Sequence, residues 1–132
     1  MKNSTFIPIL RVKDARKSAH FYAGALGFAT DWEHQFGSCF PLFISISKGT
    51  LQLFLSEHKG SGTDAADSYA YIPDVDSLHA QLVSGKVPIE QPPTDQPWGV
   101  RDMQIRDLDG HRINFATRKG AAYPALHPPI RD

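Results

Sequence analysis

Two stretches of this chain alternate between apolar and polar residues and meet at a tight turn. Met103 and Ile105 alternate with polar neighbours before the turn sequence Asp-Leu-Asp-Gly. Ile113 and Phe115 do so after it. Alternation on both sides of a turn that contains Asp-Gly predicts an antiparallel hairpin with one buried face. The preceding Pro-Trp-Gly segment predicts that Trp98 is either the wall of a pocket or a plug at the end of the core.

The N-terminal half predicts a strand, a helix and three further strands. Residues 6–12 form the first predicted strand, and Pro8 favours an edge position because proline cannot donate to a strand ladder. Asp14 is the predicted N-cap of the helix, and apolar residues at helical spacing follow it until Gly27. The further strands are predicted at residues 28–32, 40–47 and 51–56.

The same pattern begins again after a polar loop at residues 57–67. A predicted strand at 69–72 precedes a helix that Asp74 caps, and a short strand is predicted at 86–89. The Pro-rich residues 91–97 are a predicted connection to the hairpin. A spacing of about 60 residues between equivalent elements predicts two duplicated βαβββ modules in an α+β fold, with a curved mixed sheet around a shared cleft.

Length, composition and charge restrict the class of protein. The 132 residues predict one domain over residues 1–120, with modules at about 6–56 and 68–118 and a Pro-rich tail at 121–132. Basic and acidic residues both number 14, so no net charge favours nucleic acid or a membrane surface. Apolar runs fall short of the roughly 20 residues that span a bilayer, so no membrane partner is predicted.

Two features predict a cytoplasmic protein. Pro8 interrupts the N-terminal segment where a signal peptide needs continuous apolar residues. The chain has one cysteine, Cys39, which cannot form an internal disulfide and therefore fits a reducing compartment. Its neighbours Phe40 and Phe43 favour a buried and unreactive thiol.

Two longer motifs connect the chain to a known superfamily. The first is IPILRVKD at residues 7–14, followed by HFY and LGF, and the second is QPWGVR at 96–101, followed by RDLDG. Over roughly residues 6–118 the chain resembles the vicinal-oxygen-chelate superfamily of glyoxalases, bleomycin-resistance proteins and extradiol dioxygenases. The second motif, together with Pro8, is more similar to the bleomycin-resistance branch. This resemblance implies paired βαβββ modules and a homodimer, often with exchange of the N-terminal strand.

The resemblance also implies where a metal centre would lie. Superfamily enzymes place a His seven positions before the helix-capping Asp, which is Ile7 in the first module and Asp67 in the second. Their terminal Glu, four residues after the turn glycine, corresponds to Asn114. Isoleucine binds no metal, and a neutral amide is a poor ligand for a transition metal. We therefore predict no catalytic residue and no metal cofactor, with Asp67 as the one weak candidate ligand.

The leading hypothesis is a metal-free protein of the bleomycin-resistance type. It would sequester an antibiotic or a similar aromatic small molecule in a cleft at a dimer interface. The predicted ligand contacts are the apolar walls Trp32, Phe36, Phe40, Phe54 and Trp98, and the polar Arg101. One alternative is a divalent-metal-dependent lyase, isomerase or dioxygenase whose ligands have moved to Asp67 with His34, His58 or His111. Another is an interaction module that binds no ligand.

Overall fold

The computed structural model describes residues 1–119, which form two units. The first unit comprises residues 1–66 together with 107–111, and the second comprises residues 67–106 together with those from Arg112 onward. Each unit has one helix and a four-stranded mixed sheet in the order βαβββ. The predicted α+β class and the duplicated βαβββ module are therefore confirmed.

The first unit consists of β1 (Ile9–Arg11), α1 (Ala15–Leu26), β2 (Ala29–His34), β3 (Phe43–Lys48) and β4 (Leu51–Ser56). Its strand order is β1-β4-β3-β2, so β1 lies at an edge, as the adjacent Pro8 predicts. Strand β1 runs parallel to β4, and the other pairs are antiparallel. Asp14 caps α1 by accepting a hydrogen bond from Lys17 N at 3.1 Å, and Gly27 ends the helix with φ of 77°.

The core of the first unit lies between α1 and one face of its sheet. Ile44, Ile46 and Leu55 on that face are buried, as are Tyr22 and Leu26 on the helix. Residues paired across neighbouring strands share a face, so the buried pair Ile44 and Leu55 alternates with side chains on the opposite face. Burying each large aliphatic side chain contributes about 1.5–3 kcal/mol. The opposite face of the sheet carries the residues that alternate with these, such as Phe43 and Phe54.

The second unit repeats this arrangement with β5 (Asp67–Tyr71), α2 (Val75–Ser84), β6 (Gln91–Gln96), β7 (Val100–Arg106) and β8 (Arg112–Arg118). Its strand order is β5-β8-β7-β6, with β5 parallel to β8. Asp74 caps α2 by accepting a hydrogen bond from Ser77 N at 3.1 Å. Met103, Ile105 and Phe115 form the buried core of the β7–β8 hairpin, as predicted.

The strand predicted at residues 86–89 is wrong. That segment follows the end of α2 without regular structure, and strand β6 lies instead at 91–96, where a connection was predicted. Strand β6 is at the edge of its sheet, and its pairing with β7 is irregular between Gln91 and Thr94. Both prolines of β6 lie within this irregularity, where no ladder hydrogen bond from their nitrogens is needed.

The predicted burial of Cys39 is also wrong. Its side chain is exposed, because β3 begins at Phe43 and leaves Cys39 in the loop after β2. The predicted tail at 121–132 lies outside the described residues. No helix within residues 1–119 has the length and apolar character needed to cross a bilayer.

Candidate functional site

A pocket of about 510 Å³ lies on the sheet of the second unit. Its volume is within the range of about 300–1,000 Å³ that is common for small-molecule sites. Alternation along β7 sets the position of the pocket. Met103 and Ile105 are buried in the core, and Asp102 and Gln104, which alternate with them, line the pocket on the other face. The pocket lining includes Tyr69, Gln91, Trp98, Asp102, Gln104 and Asn114.

The carboxylate of Asp102 is the centre of the hydrogen bonding in this pocket. Asp102 is only 4% exposed. Its Oδ2 accepts a hydrogen bond from the Tyr69 hydroxyl at 2.7 Å, and its Oδ1 accepts from Nε2 of Gln96 at 2.9 Å and of Gln91 at 3.1 Å. A buried carboxylate is tolerated when such donors replace its water. These bonds also fix the orientation of the three donor side chains.

Tyr69 connects this carboxylate to Trp98. Burial, together with the hydrogen bond to Asp102, raises the pKa of Tyr69 to about 12, so its hydroxyl stays protonated at neutral pH. That hydroxyl donates to Asp102 and accepts a hydrogen bond from Trp98 Nε1 at 3.3 Å. Trp98 is 37% exposed, so it is not a buried core plug. Its indole is instead held in the pocket wall by its one polar atom.

The predicted metal-ligand positions of the second unit bind each other. Both carboxylate oxygens of Asp67 accept hydrogen bonds from the Arg112 guanidinium, which holds the pKa of Asp67 below its ordinary value. Asn114 Nδ2 donates to Asp67 Oδ1 at 2.7 Å and to Ser68 O at 2.9 Å. Because both of these partners are acceptors, the amide nitrogen must face them, and nitrogen of an amide is not a metal ligand.

The donor set therefore does not fit the metal that the superfamily implies. Ile7 offers no ligand atom, and Asp67 is already neutralised by Arg112. Of the histidines in the alternative hypothesis, His111 is buried, with Nδ1 accepting from Ala66 N at 3.0 Å and Nε2 lying 2.7 Å from Arg11 O. No cluster of three or more His, Cys, Asp or Glu side chains able to hold a metal ion occurs among the described residues.

An aromatic cluster of Trp32, Phe43 and Phe54 lies on the first unit, on the sheet face opposite its core. The Trp32 ring stacks on Phe43 at 5.9 Å between centroids and lies 5.4 Å from Phe54. Phe43 and Phe54 are 5.1 Å apart. The structure thus brings together two of the predicted wall residues, and adds Phe43 to them. Trp32 remains 45% exposed.

The other predicted contacts of the first unit are more exposed. Phe36 packs edge-on against His34 at 4.6 Å and lies 6.4 Å from His58, whose ring is 6.3 Å from Phe43. Phe36 therefore extends the aromatic cluster through a histidine. Phe40 lies in the same loop with its side chain near Gly37 and is exposed.

Arg101 does not line the pocket that contains Trp98. Its Nε donates to both carboxylate oxygens of Asp76 on α2, at 3.1 and 3.0 Å, and its Nη1 donates to Asp95 at 3.2 Å. Odd-numbered residues of β7 share the helix side of the sheet, so Arg101 points away from Asp102. Its role as a ligand contact stays a prediction, and its observed partners are two surface carboxylates.

A second hollow, of about 500 Å³, lies on the first unit. Its walls are mainly hydroxyl and amide groups, with Phe6 as the one aromatic side chain among the residues that line it. Asp31 accepts hydrogen bonds there from Ser45 and Ser47 at 2.8 and 2.7 Å. None of the predicted wall residues lines this hollow, so it is the weaker candidate for an aromatic ligand.

Sequence reasoning missed the amides of the pocket. Gln91, Gln104 and Asn114 had no predicted binding role, and Tyr69 was predicted only as part of a strand. The available signal was the pair of polar residues Asp102 and Gln104, which alternate with the buried apolar Met103 and Ile105 along β7. A polar strand face is usually solvated, so the pattern alone does not distinguish a pocket floor from an ordinary surface.

Comparison with solved structures identifies the same fold in other proteins. TioX from Micromonospora sp. ML1 has 20% identity, covers 88% of this chain and 99% of its own, and superposes with a TM-score of 0.72. TnmS3, an antibiotic binding protein from Streptomyces sp. CB03234, has 22% identity, coverage of 89% and 98%, and a TM-score of 0.73. A glyoxalase/bleomycin resistance protein/dioxygenase superfamily member from Sphaerobacter thermophilus DSM 20745 has 20% identity, coverage of 87% and 97%, and a TM-score of 0.73.

Sequence comparison decides the family. No protein with curated annotation matches the chain. The family described as "Glyoxalase superfamily protein" matches residues 1–122, which is almost the whole sequence. This match confirms the resemblance predicted from the IPILRVKD and QPWGVR motifs. The chain therefore belongs to the glyoxalase superfamily.

Proposed function

We propose that this protein binds and sequesters a planar aromatic small molecule, such as an antibiotic, without the help of a metal ion. The observation that carries the proposal is the pocket of the second unit, in which the Trp98 indole is fixed by Tyr69 beside a floor of hydrogen-bonding groups. An exposed indole with a fixed orientation offers a stacking surface at little cost in side-chain entropy. Polar groups around it would orient the ligand.

The comparisons support a binding role. TnmS3 has the same fold and is an antibiotic binding protein. The metal-free part of the proposal is supported by Asp67 and Asn114, which bind each other and Arg112. Metal analysis of the purified protein tests that part directly. Stoichiometric Fe, Mn, Ni or Zn that resists dialysis would overturn it.

The proposal extends to a homodimer whose interface contributes to the ligand cleft. Trp32 at 45% and Phe36 at 72% exposure leave much of the aromatic cluster and its extension uncovered. Exposed apolar patches of this kind mark interaction surfaces in soluble proteins. Sedimentation velocity should show a dimer at micromolar concentration, and a monomer over the whole range would overturn this part.

Ligand binding is tested with planar tricyclic probes and a single-tryptophan variant. In a Trp32→Phe background only Trp98 emits, so acridine and its derivatives are expected to quench its fluorescence on binding. Trp98→Ala should weaken binding, measured by calorimetry, by about tenfold, since stacking contributes about 0.5–1.5 kcal/mol in addition to area burial. Val83→Ala, an exposed apolar change on α2, is the matched control and should leave affinity unchanged.

Three outcomes separate the hypotheses. Loss of binding in Trp98→Ala with an unchanged unfolding transition supports the pocket. Loss in Trp32→Ala as well indicates that the aromatic cluster belongs to the same cleft in the assembled protein. If no tricyclic probe binds and Trp98 emission never changes, the proposed function is wrong.

A further inference from the structure

An in-register row of polar side chains crosses the floor of the pocket. Tyr69 pairs with Asn114, Asn114 with Gln104, and Gln104 with Gln91, so one residue from each of the four strands lies in the row. Directly paired residues share a sheet face, and neighbouring strands are about 4.8 Å apart. We call Asn114, Gln104 and Gln91 the amide row. Its three planar side chains lie side by side in the pocket lining.

The hydrogen bonds of this site determine which atoms remain for a ligand. The Nδ2 of Asn114 donates to Asp67 and Ser68, while the Nε2 atoms of Gln91 and Gln96 donate to Asp102. Their carbonyl oxygens accept no hydrogen bond from any described residue. Each amide therefore has its donor occupied and its acceptor available.

These free acceptors belong to residues that line the pocket. Within residues 1–119 the one buried side-chain nitrogen or oxygen without a partner is Ser18 Oγ, so the amide oxygens of Gln91, Gln96 and Asn114 are accessible. Gln104, in the middle of the row, makes no side-chain hydrogen bond with a described residue and is half-buried. It can rotate to offer its oxygen as well. The floor is consequently rich in acceptors.

The charge of the site points in the same direction. Among the residues that line the pocket, Asp67 and Asp102 are acidic, and Arg112 is the one basic residue. Arg112 is bound to Asp67, so the charge of Asp102 is not balanced by a cation of the lining. A net negative, partly buried site attracts cations and disfavours anions.

We propose that the ligand presents a planar ring edge with N–H donors and a positive charge, as in an amino-substituted or amidine-type heterocycle. Its N–H groups would donate to the oxygens of the amide row while the ring stacks on Trp98. This inference rests on the proposed function, because it names the class of ligand for the same pocket. It adds that an aromatic ring alone, or one with a carboxylate at this edge, binds more weakly.

Three probes of equal ring size test the inference. Proflavine carries amino groups and a positive charge at neutral pH, acridine carries neither, and acridine-9-carboxylate is an anion. Calorimetry should show proflavine binding at least about tenfold more tightly than the other two, since each additional hydrogen bond contributes about 0.5–1.5 kcal/mol. The preference should decrease as salt is added.

Charge changes at Gln104 test the position of the bound cation. Gln104→Glu should tighten proflavine binding by about threefold and Gln104→Lys should weaken it by a similar factor, as for a partly exposed ion pair. Ala80→Glu adds the same charge to an exposed position on α2 and is the matched control, expected to have no effect. Circular dichroism verifies that each variant is folded.

The outcomes distinguish the inference from the function on which it rests. Equal affinity for the three probes, with no effect of either Gln104 variant, overturns the ligand class and leaves the binding function standing. A preference for acridine-9-carboxylate overturns the ligand class in the opposite sense. If none of the probes binds, the proposed function fails, and this inference fails with it.

Discussion

Replacing Tyr22 by Phe removes one hydroxyl group from the interior of the first unit. Tyr22 is fully buried, and its hydroxyl donates to Asp107 Oδ2 at 2.7 Å. Burial, followed by the charge and hydrogen bond of Asp107, raises the pKa of Tyr22, so the hydroxyl is protonated at every physiological pH. The other carboxylate oxygen, Oδ1, accepts from the backbone of Asp109 and His111 at 2.9 and 3.0 Å. The substitution therefore leaves Oδ2 buried without its donor.

The expected loss is about 2 kcal/mol of unfolding free energy. Hydrogen bonds to charged groups contribute about 1.5–3 kcal/mol, and an unsatisfied buried acceptor costs a similar amount. Tyr69→Phe is the matched control, because Tyr69 makes the same kind of bond to Asp102 at the same 2.7 Å but is 42% exposed. Because Tyr69 is exposed, water can take the place of its hydroxyl beside Asp102 Oδ2, so the loss should be below about 1 kcal/mol.

Urea unfolding followed by circular dichroism measures both variants. A double-mutant cycle with Asp107→Asn then assigns the loss at Tyr22 to the pair, with an expected coupling of about 1–2 kcal/mol. Equal losses in Tyr22→Phe and Tyr69→Phe, or a coupling near zero, would show that burial does not set the strength of these bonds and would refute the reasoning.

Three further predictions concern charge and backbone geometry. Arg112 holds the pKa of Asp67 below its ordinary value of 3.8. The stabilisation from this pair is therefore present above pH 3.8 and is lost as the pH falls through the lower pKa that Asp67 has in the folded protein. The urea midpoint of Arg112→Met should consequently depend less on pH in this acid range. Desolvation raises the pKa of Tyr69 from 10.0 to about 12. The stabilisation linked to this shift is therefore present below pH 10.0 and is lost as the pH rises towards 12. Tyr69→Phe should reduce the slope of the urea midpoint against pH in this range, and an unchanged slope contradicts the prediction. Gly62→Ala should lower the melting temperature more than Gly49→Ala, because both have positive φ but only at Gly62 would a Cβ come within 3.0 Å of the β1 backbone.

Short-range signals in the sequence were sufficient for the helices and for one hairpin. Asp14 and Asp74 bind the backbone three residues ahead, and Gly27 adopts the positive φ that ends α1. Each of these effects acts within one helical turn, so the sequence pattern records it directly. The same holds for the β7–β8 hairpin, where Met103 and Ile105 alternate with pocket residues.

Strand β6 could not be predicted in this way. Its prolines are unfavourable in a central strand, and they are accommodated only because β6 lies at an edge and pairs irregularly with β7. Strand β6 stays at the edge because β5, the other strand that ends the row, pairs with β8 and not with β6. That pairing joins residues far apart in the chain. Local propensity does not contain that information. The exposed Cys39 has a related cause, because its aromatic neighbour Phe40 stays in a loop.

The arrangement of the polar atoms in the pocket depends on the same long-range pairing. The sequence placed Trp98 at the start of a strand, but its orientation comes from Tyr69, a residue of β5. An amide oxygen is available to a ligand when the nitrogen of the same amide binds a neighbour. For Gln91 and Gln96 that neighbour is Asp102. Residue types can suggest a polar floor, but only the register of four strands shows which polar atoms a ligand would meet.

The ion pair between Asp67 and Arg112, two residues that line the pocket, means that one substitution would not create a metal centre. A carboxylate at position 114 would restore the superfamily's terminal ligand type, yet Arg112 would still bind Asp67 through two hydrogen bonds. A divalent cation would have to displace a guanidinium from its carboxylate, and like charges would oppose its approach. Removing Arg112 as well would leave two acidic side chains without the histidine or further carboxylate that a transition metal needs. The Asp67–Arg112–Asn114 group as a whole therefore disfavours a metal ion in this unit, and the same group includes the amide oxygen that the pocket would offer to the proposed ligand.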